Sequence, residues 1–463
     1  MRYCTVVLHK HSLIWILIFS VIALMFVHLP PMVAKQDSIL NTYGALVEVD
    51  ALIKQRWVEP IRGETLVNGA IRGMLFQLDP YSGYIGPDEL HAFERQSSGQ
   101  YVGVGVELGM KDGQLTVISP IEGSPAAQAG VLPGDVIVSV NGHEVADRSV
   151  FDVEEMLVGE PGTVVRLRLR HPGRSEPDAL TVVRNYINIP SVRGFARTHS
   201  GRWRYRIDST HSIAYIRVSN FRHNTMTDFN RVLARLEEEG IRGLIIDLRF
   251  NPGGLMHPAI EMVDRFVDDG IILSTVNRYR AVNEYRATRR GTIGDIDLVV
   301  LINAASASSS EIVAGSLQAR GRAIVVGERS FGKGSVQQFI PLRDQQTAVK
   351  LTVAYYRLPD GRIIHRTARQ TNPDSWGVIP DVEVSLSKEQ TESLRQSRRA
   401  LDLAFTQGST AKDGPKAQDD HAAPLAPPAG ELIHDAQLSQ ALTLLRATLT
   451  GRTSARLTGL QSD

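Results

Sequence analysis

From Ser212 to Glu328 the chain alternates between two apolar textures. Short Val/Ile-rich runs, "IAYIRV", "GLIIDLRF", "DLVVLIN" and "AIVVGE", are separated by segments with apolar residues at helical spacing: "MTDFNRVLARLEEEG", "HPAIEMVDRFVDDG" and "SEIVAGSLQARG". Runs that are apolar on every residue suit strands covered on both faces. The pattern therefore predicts a mixed or parallel sheet covered by helices. Residues 98–190 differ. "YVGVGVELG", "LTVISPI", "DVIVSVNG" and "TVVRLRLR" are short β-like runs joined by Gly, Pro and Asn-Gly turns, which predicts a small β-rich module. Residues 36–96 carry helical periodicity, as in "LVEVDALIKQRWV" and "LVNGAIRGMLFQL". After Leu386 the pattern is helical again, broken by the linker "APLAPPAG" and resumed in "DAQLSQALTLLRATL". The expectation is a multidomain α/β chain: residues 35–97 helical, 98–190 β-rich, 191–386 an α/β domain, and 387–463 a helical tail with an Ala/Pro-rich linker.

One apolar run fits none of these elements. Leu13–Leu29 is interrupted only by Ser20 and His28, preceded by Arg2 and Lys10, and ended by Pro30 and Pro31. It is long for the core of a cleaved signal peptide and short for a membrane span. Residues 1–34 are thus expected to be a signal peptide or a signal anchor, with the remainder in the periplasm or another extracytoplasmic space. An anchor would also attach the chain to the membrane. Composition narrows the classes further. A chain of 463 residues is too long for one core. With 43% hydrophobic and 22% charged residues it is globular. A net charge of +1 argues against nucleic acid as a partner. The single cysteine, Cys4, excludes an intrachain disulfide and a cysteine-rich metal site. No metal or cofactor is expected.

The chemistry concentrates in "NAASASSSEIVAGSLQ", Asn303–Gln318, where a strand-like run meets a helix-like one. "SSSE", Ser308 to Glu311, matches a capping box, which would make Ser308 a helix cap. The same junction suits a nucleophile, because helix-start N–H groups favour developing negative charge. The sequence does not choose among Ser306, Ser308, Ser309 and Ser310. Two bases are available. His257 with Asp247 would complete a Ser-His-Asp triad. Lys333, in "GERSFGKGSVQQF", would need its usual pKa of about 10.4 lowered by burial to act as a base. A rival reading takes "GERSFGKG" as a phosphate-binding GxxxxGK[ST] loop, although Gly334 stands where the hydroxyl belongs. In "RFNPGGLMHPAI", Gly253 and Gly254 let backbone N–H groups face a substrate oxygen or simply permit a tight turn.

Together these segments resemble the carboxyl-terminal processing peptidases, tail-specific serine proteases that carry a PDZ domain. "GLIIDLRFNPGGL", "LINAASASSSEIVAGSLQARGRAIVVGERSFGKGSVQQF" and "GVIPDV" are similar to the protease motifs, and "GSPAAQAGVLPGDVIVSVNG" to the PDZ domain. The resemblance covers residues 40–386. It implies a serine endopeptidase with a dyad of Ser308 and Lys333, and with Gln337 orienting the lysine. It implies oxyanion donors from Gly253 or Gly254 and from Ser309. Ser309 stands where the motif has alanine, which leaves a backbone donor intact. A peptide strand beside "VGVGVEL", which runs from Val102, Gly103, Val104 and Gly105 on to Leu108, is the expected mode of tail recognition, with the terminal carboxylate held near Gly103 and Gly105. Val153, Met156 and Leu157 lie at helical spacing and face either the tail's last side chain or the module's own core. The expected partners are protein substrates with free apolar C-termini and, through the terminal helices, a second copy of the chain. The alternative class is a non-catalytic PDZ scaffold with a degenerate protease fold.

Overall fold

The computed structural model describes residues 17–21, 43–87, 89–90, 93, 100–198, 202–280, 282–343, 346–367, 376–403 and 435–459. The apolar segment Leu13–Leu29 and the Ala/Pro linker lie largely or wholly outside these residues. Among the described residues no helix is long and apolar enough to cross a membrane. The chain divides into two units, Met1–Tyr84 and Ile85–Asp463.

The first unit is helical, over residues 43–56 and in the helix Gly63–Phe76. The periodic pattern is realised there, yet Gly63–Phe76 buries none of its residues. Val67, Met74 and Phe76 are exposed.

The second unit begins with the β-rich module. Its first apolar run does not form one strand. Gln100–Gly103 (β1) pairs with Asn185–Asn188, whereas Val106–Lys111 (β2) pairs with Gln114–Pro120 (β3). Gly105, at φ 81°, turns the chain between them, a conformation that favours glycine. A Cβ there would also meet the Ser124 side chain at 2.3 Å. β2 ends the order of its sheet, so one of its edges is open to a further strand. The helix Val150–Leu157 (α1) is capped by Ser149 and Asp152, each accepting the other's backbone N–H. Val153 packs into the module's core with Leu108, Ile137 and Val165.

The α/β domain is a mixed sheet. Ile213–Val218 (β4), Gly243–Asp247 (β5), Asp297–Ile302 (β6) and Ala323–Gly327 (β7) are parallel neighbours, while Val192–Arg193 joins the outer edge of β4 antiparallel. Every residue of β4 and β5 is buried, and the reason is visible in the packing. Ala214, Ile216, Leu244 and Ile246 face a core shared with three helices, Thr225–Glu238 (α2), Met256–Asp264 (α3) and Ser309–Ala319 (α4). Tyr215, Ile245 and Val299 face Leu438, Ala441 and Leu445 of the last helix, Ala436–Gly459. Two covers on two faces account for runs with no polar alternation. Beyond the sheet, Ser335–Pro341 (β8) and Ala348–Arg357 (β9) form a hairpin that pairs through β9 with Ile271–Asn277. This second sheet was not read from the sequence. Its strands carry polar residues such as Gln337, Gln338 and Lys350, which blur the period-two signal.

Candidate active site

The site forms where three loops meet at the carboxyl ends of β5, β6 and β7. The turn after β5 carries Asn251-Pro252-Gly253-Gly254, the turn after β6 carries the serines, and the segment after β7 carries Lys333.

The structure separates the four serines. Ser306 donates its hydroxyl to Leu248 O, Ser310 to Asn251 O, and Ser309 to Gly254 O and Leu255 O. All three are buried and bind the serine loop to the chain around the β5 turn. Ser308 is half-buried, and its hydroxyl donates to no described residue. Its backbone stands at φ 55° and ψ −114°. A capping serine ordinarily sits in the extended region. A non-glycine residue held at positive φ stores strain that the surroundings must maintain.

Those surroundings centre on Glu311, which is fully buried. Its Oε2 accepts the backbone N–H of Ser308 and that of Lys333, each at 2.8 Å. Its Oε1 accepts Gly332 N–H at 2.7 Å and the Ser330 hydroxyl. The predicted capping box is therefore present, but the Glu311 carboxylate also binds a second loop. One oxygen shared by two N–H groups sets Ser308 and Lys333 side by side. Burial pushes the Glu311 carboxyl up, against the four hydrogen bonds that favour its ionised form, and the outcome is a raised pKa.

Gly253 approaches Ser308 closely. A Cβ on it would lie 2.7 Å from the Ser308 Cβ and 2.7 Å from Ala307 O. Its own N–H is engaged by Asn251 Oδ1 at 2.9 Å. The N–H groups of Gly254 and Ser309 meet no acceptor among the described residues. Gln337 lies on β8, where its amide nitrogen donates to Ser335 Oγ at 2.8 Å and Thr352 Oγ1 at 3.3 Å, so it is turned toward its own hairpin.

Two rival readings do not survive the fold. The His257 ring is 80% exposed and pairs with Glu261. Asp247 is fully buried and accepts hydrogen bonds from Tyr215, Arg249 and Arg398, so it holds no histidine. The phosphate-loop reading needs a helix after Lys333, but β8 follows, and Gly332 and Lys333 direct their N–H groups at a carboxylate.

Of the residues expected to bind a peptide, Val102 and Gly103 pair with Tyr186 and Asn185 respectively, which occupies one edge of that strand. Val104, Gly105 and Leu157 line a cavity of about 930 Å³, whose helix side is completed by Phe151 and Glu154. Val153 is not in this lining; it belongs to the module's core, and Met156 is partly buried against that core. Arg193, Arg197 and Arg222 close the cavity from the protease side. Tyr101, on its wall, is pushed up to about 12 by burial and by Glu154, so it stays a neutral hydroxyl.

Residues 212–384 match the family described as Peptidase family S41, residues 116–171 match the PDZ domain, and residues 32–88 match the activating protease CtpB N-terminal domain. The chain is 30% identical over 420 residues to the carboxy-terminal-processing protease of Bartonella bacilliformis, covering 89% of this chain and 90% of that one. It is 34% identical over 317 residues to the carboxy-terminal processing protease CtpB of Bacillus subtilis, covering 68% of this chain and 64% of that one. Among solved structures, a photosystem II D1 C-terminal processing protease is 31% identical over 71% of this chain and 84% of its own, with a TM-score of 0.41.

Proposed function

Because the chain belongs to the S41 carboxy-terminal processing proteases, and is thus a serine-type peptidase with a PDZ domain, we propose that it cleaves exported proteins near their C-termini with Ser308 as nucleophile and Lys333 as base. The observation that carries this reading is the shared Glu311 oxygen, which holds the two residues together while the other three serines are committed elsewhere. Ser308 Oγ attacks the scissile carbonyl carbon as Lys333 Nζ takes its proton. The resulting oxyanion lies at the N-terminus of α4, where the N–H groups of Gly254 and Ser309 are free to donate. Collapse expels the amine of the new C-terminal fragment, which receives the proton from Lys333. Water then attacks the acyl carbonyl while Lys333 Nζ takes its proton, and collapse releases the new C-terminal carboxyl as Lys333 passes that proton to Ser308 Oγ, which restores both residues. Gln337 is proposed to reach the lysine only by leaving Ser335.

Tail recognition is assigned to the cavity beside β2. An extended tail adds to the open β2 edge, with its carboxylate near the Gly105 turn and its apolar side chains against Leu157 and Phe151. Export follows from the Leu13–Leu29 segment, and a reporter fused after Lys35 is expected outside the cytoplasm; a reporter active only inside removes that part of the proposal.

Ser308→Ala and Lys333→Ala are each expected to abolish cleavage of a protein with an apolar tail, since the dyad works as a unit. His257→Ala keeps most of its activity. Amidating the substrate's C-terminus is expected to raise KM. Turnover by Ser308→Ala, followed by mass spectrometry of the products, would refute the nucleophile assignment. An inactive wild-type chain that still binds apolar tails would establish a scaffold instead.

A further inference from the structure

The geometry points to Tyr356 as a positioning residue that holds the nucleophile and the base in register through their carbonyl groups. This rests on the assignment of Ser308 and Lys333 above. Tyr356 lies on β9 and is 1% exposed. Its hydroxyl donates to Ser308 O at 3.1 Å and to Lys333 O. Its backbone N–H donates to Gly334 O at 3.0 Å, the residue after the lysine.

A buried tyrosine hydroxyl finds a partner as a matter of course, and any single carbonyl would satisfy it. Here the two carbonyls belong to the two reacting residues, 25 positions apart in sequence. Glu311 Oε2 already joins the same two residues through their N–H groups. Each of the two residues is thus held at its N–H and at its carbonyl by an atom shared with the other. The acceptor is one carboxylate oxygen and the donor one phenolic oxygen. Ser308 needs such support because its φ of 55° is not a conformation that serine adopts unaided. Ser308 O also accepts the N–H groups of Glu311 and Ile312, so the phenol adds a sideways restraint to a carbonyl already fixed along the helix. The consequence falls on the distance between Oγ and Nζ rather than on substrate binding, because Tyr356 is walled off from the surface.

Replacing the phenol by phenyl keeps the shape and removes the donor. Tyr356→Phe is expected to lower kcat by about tenfold or more, with KM within about twofold of the parent, since small misplacements of reacting groups are costly. The rate at which a fluorophosphonate labels Ser308 should fall in parallel. 4-Aminophenylalanine at position 356, a weaker donor of the same shape, should recover part of the loss. Parent-like kcat and labelling in folded Tyr356→Phe, accompanied only by a lower Tm, overturn the proposal. If Tyr356→Phe does not fold, the 4-aminophenylalanine protein serves alone: kcat should drop severalfold at constant KM, and parent-like kcat overturns the proposal. Ser308→Ala and Lys333→Ala are measured alongside. If both retain turnover the dyad assignment fails. If both are dead and Tyr356→Phe is fully active, only the positioning role fails.

Discussion

At the scale of single residues, Glu311 has the most to do. As a capping partner it would accept one N–H; as folded it accepts three N–H groups and a hydroxyl, from two loops. Burial raises its pKa above the ordinary glutamate value despite those bonds. A carboxyl raised in the folded state binds protons more readily folded than unfolded. It therefore lowers stability at neutral pH, and that loss is relieved as pH falls through the raised value. Activity should move the opposite way, because a protonated Glu311 has one acceptor fewer for the N–H groups of Ser308 and Lys333. The expectation is a fall in kcat on the acid side, beginning above the pH at which an ordinary glutamate titrates, with no matching fall in Tm. Glu311→Gln should show low kcat at every pH and lack that limb. A mutant limb that superimposes on the parent's would show that another group titrates.

At the scale of elements, the turn after β5 and the start of α4 are one interlocked piece. Gly254 sits at φ 138°, and a Cβ would lie 2.1 Å from Phe221 O. Gly253 sits at φ 101° against Ser308. Neither position accepts a side chain, because the backbone, not a flexible side-chain end, is what it would strike. Gly254→Ala should lower stability by about 1–3 kcal/mol and displace the N–H proposed as an oxyanion donor, costing a further factor of about 10²–10³ in kcat. Chemical denaturation and steady-state kinetics on the same preparation separate the two effects. A fully active Gly254→Ala would exclude its N–H from the oxyanion site. The hydrophobic pattern located β5 and α4 but not this contact, since a glycine in a turn reads the same whether its Cβ would meet protein or solvent.

At the scale of the whole domain, the C-terminal helices are part of the protease core. Arg249 lies fully buried between Asp247 and Asp435, with contacts at 2.7 Å to each. It also donates to Gln437 Oε1. Arg398, on the helix Lys388–Leu403, joins Asp247 from the other side, and Asp402 of that helix pairs with Arg193 and Arg217. Coulombic pull from Arg249 and Arg398 overcomes burial and holds the Asp247 carboxyl well below the usual range. Removing one member of such a network leaves an unpaired buried charge. Truncation before Asp435 should therefore lower stability by more than about 3–5 kcal/mol, the usual loss when a buried pair is broken, because the apolar cover of Leu438 and Leu445 goes as well. Urea unfolding of the truncated chain tests this; an unchanged midpoint would mean the helix only rests on the sheet.

The parallel core strands, the presence of PDZ and S41 segments and the family motifs were legible in the sequence alone. All three are written locally, in apolar period, in turn residues and in short strings such as "NPGG" and "FGKG". It also located Ser308, Lys333 and the glycine turn, though only resemblance to a family ranked Ser308 above its neighbours. Tertiary structure decided the rest. The hydroxyls of Ser306, Ser309 and Ser310 are tied to carbonyls about 55 or more positions away, and no local pattern encodes which serine is left over. The run Val102–Leu108 was split by the Gly105 turn into β1, which pairs with Asn185–Asn188, and β2, which ends its own sheet, because strand partners come from distant segments. Val153 went to the core and Phe151 to the cavity, a matter of helix rotation that spacing leaves open. Glu311 and Tyr356 join Ser308 to Lys333 through single shared atoms, and such contacts exist only once β6, β7 and β9 have been brought together.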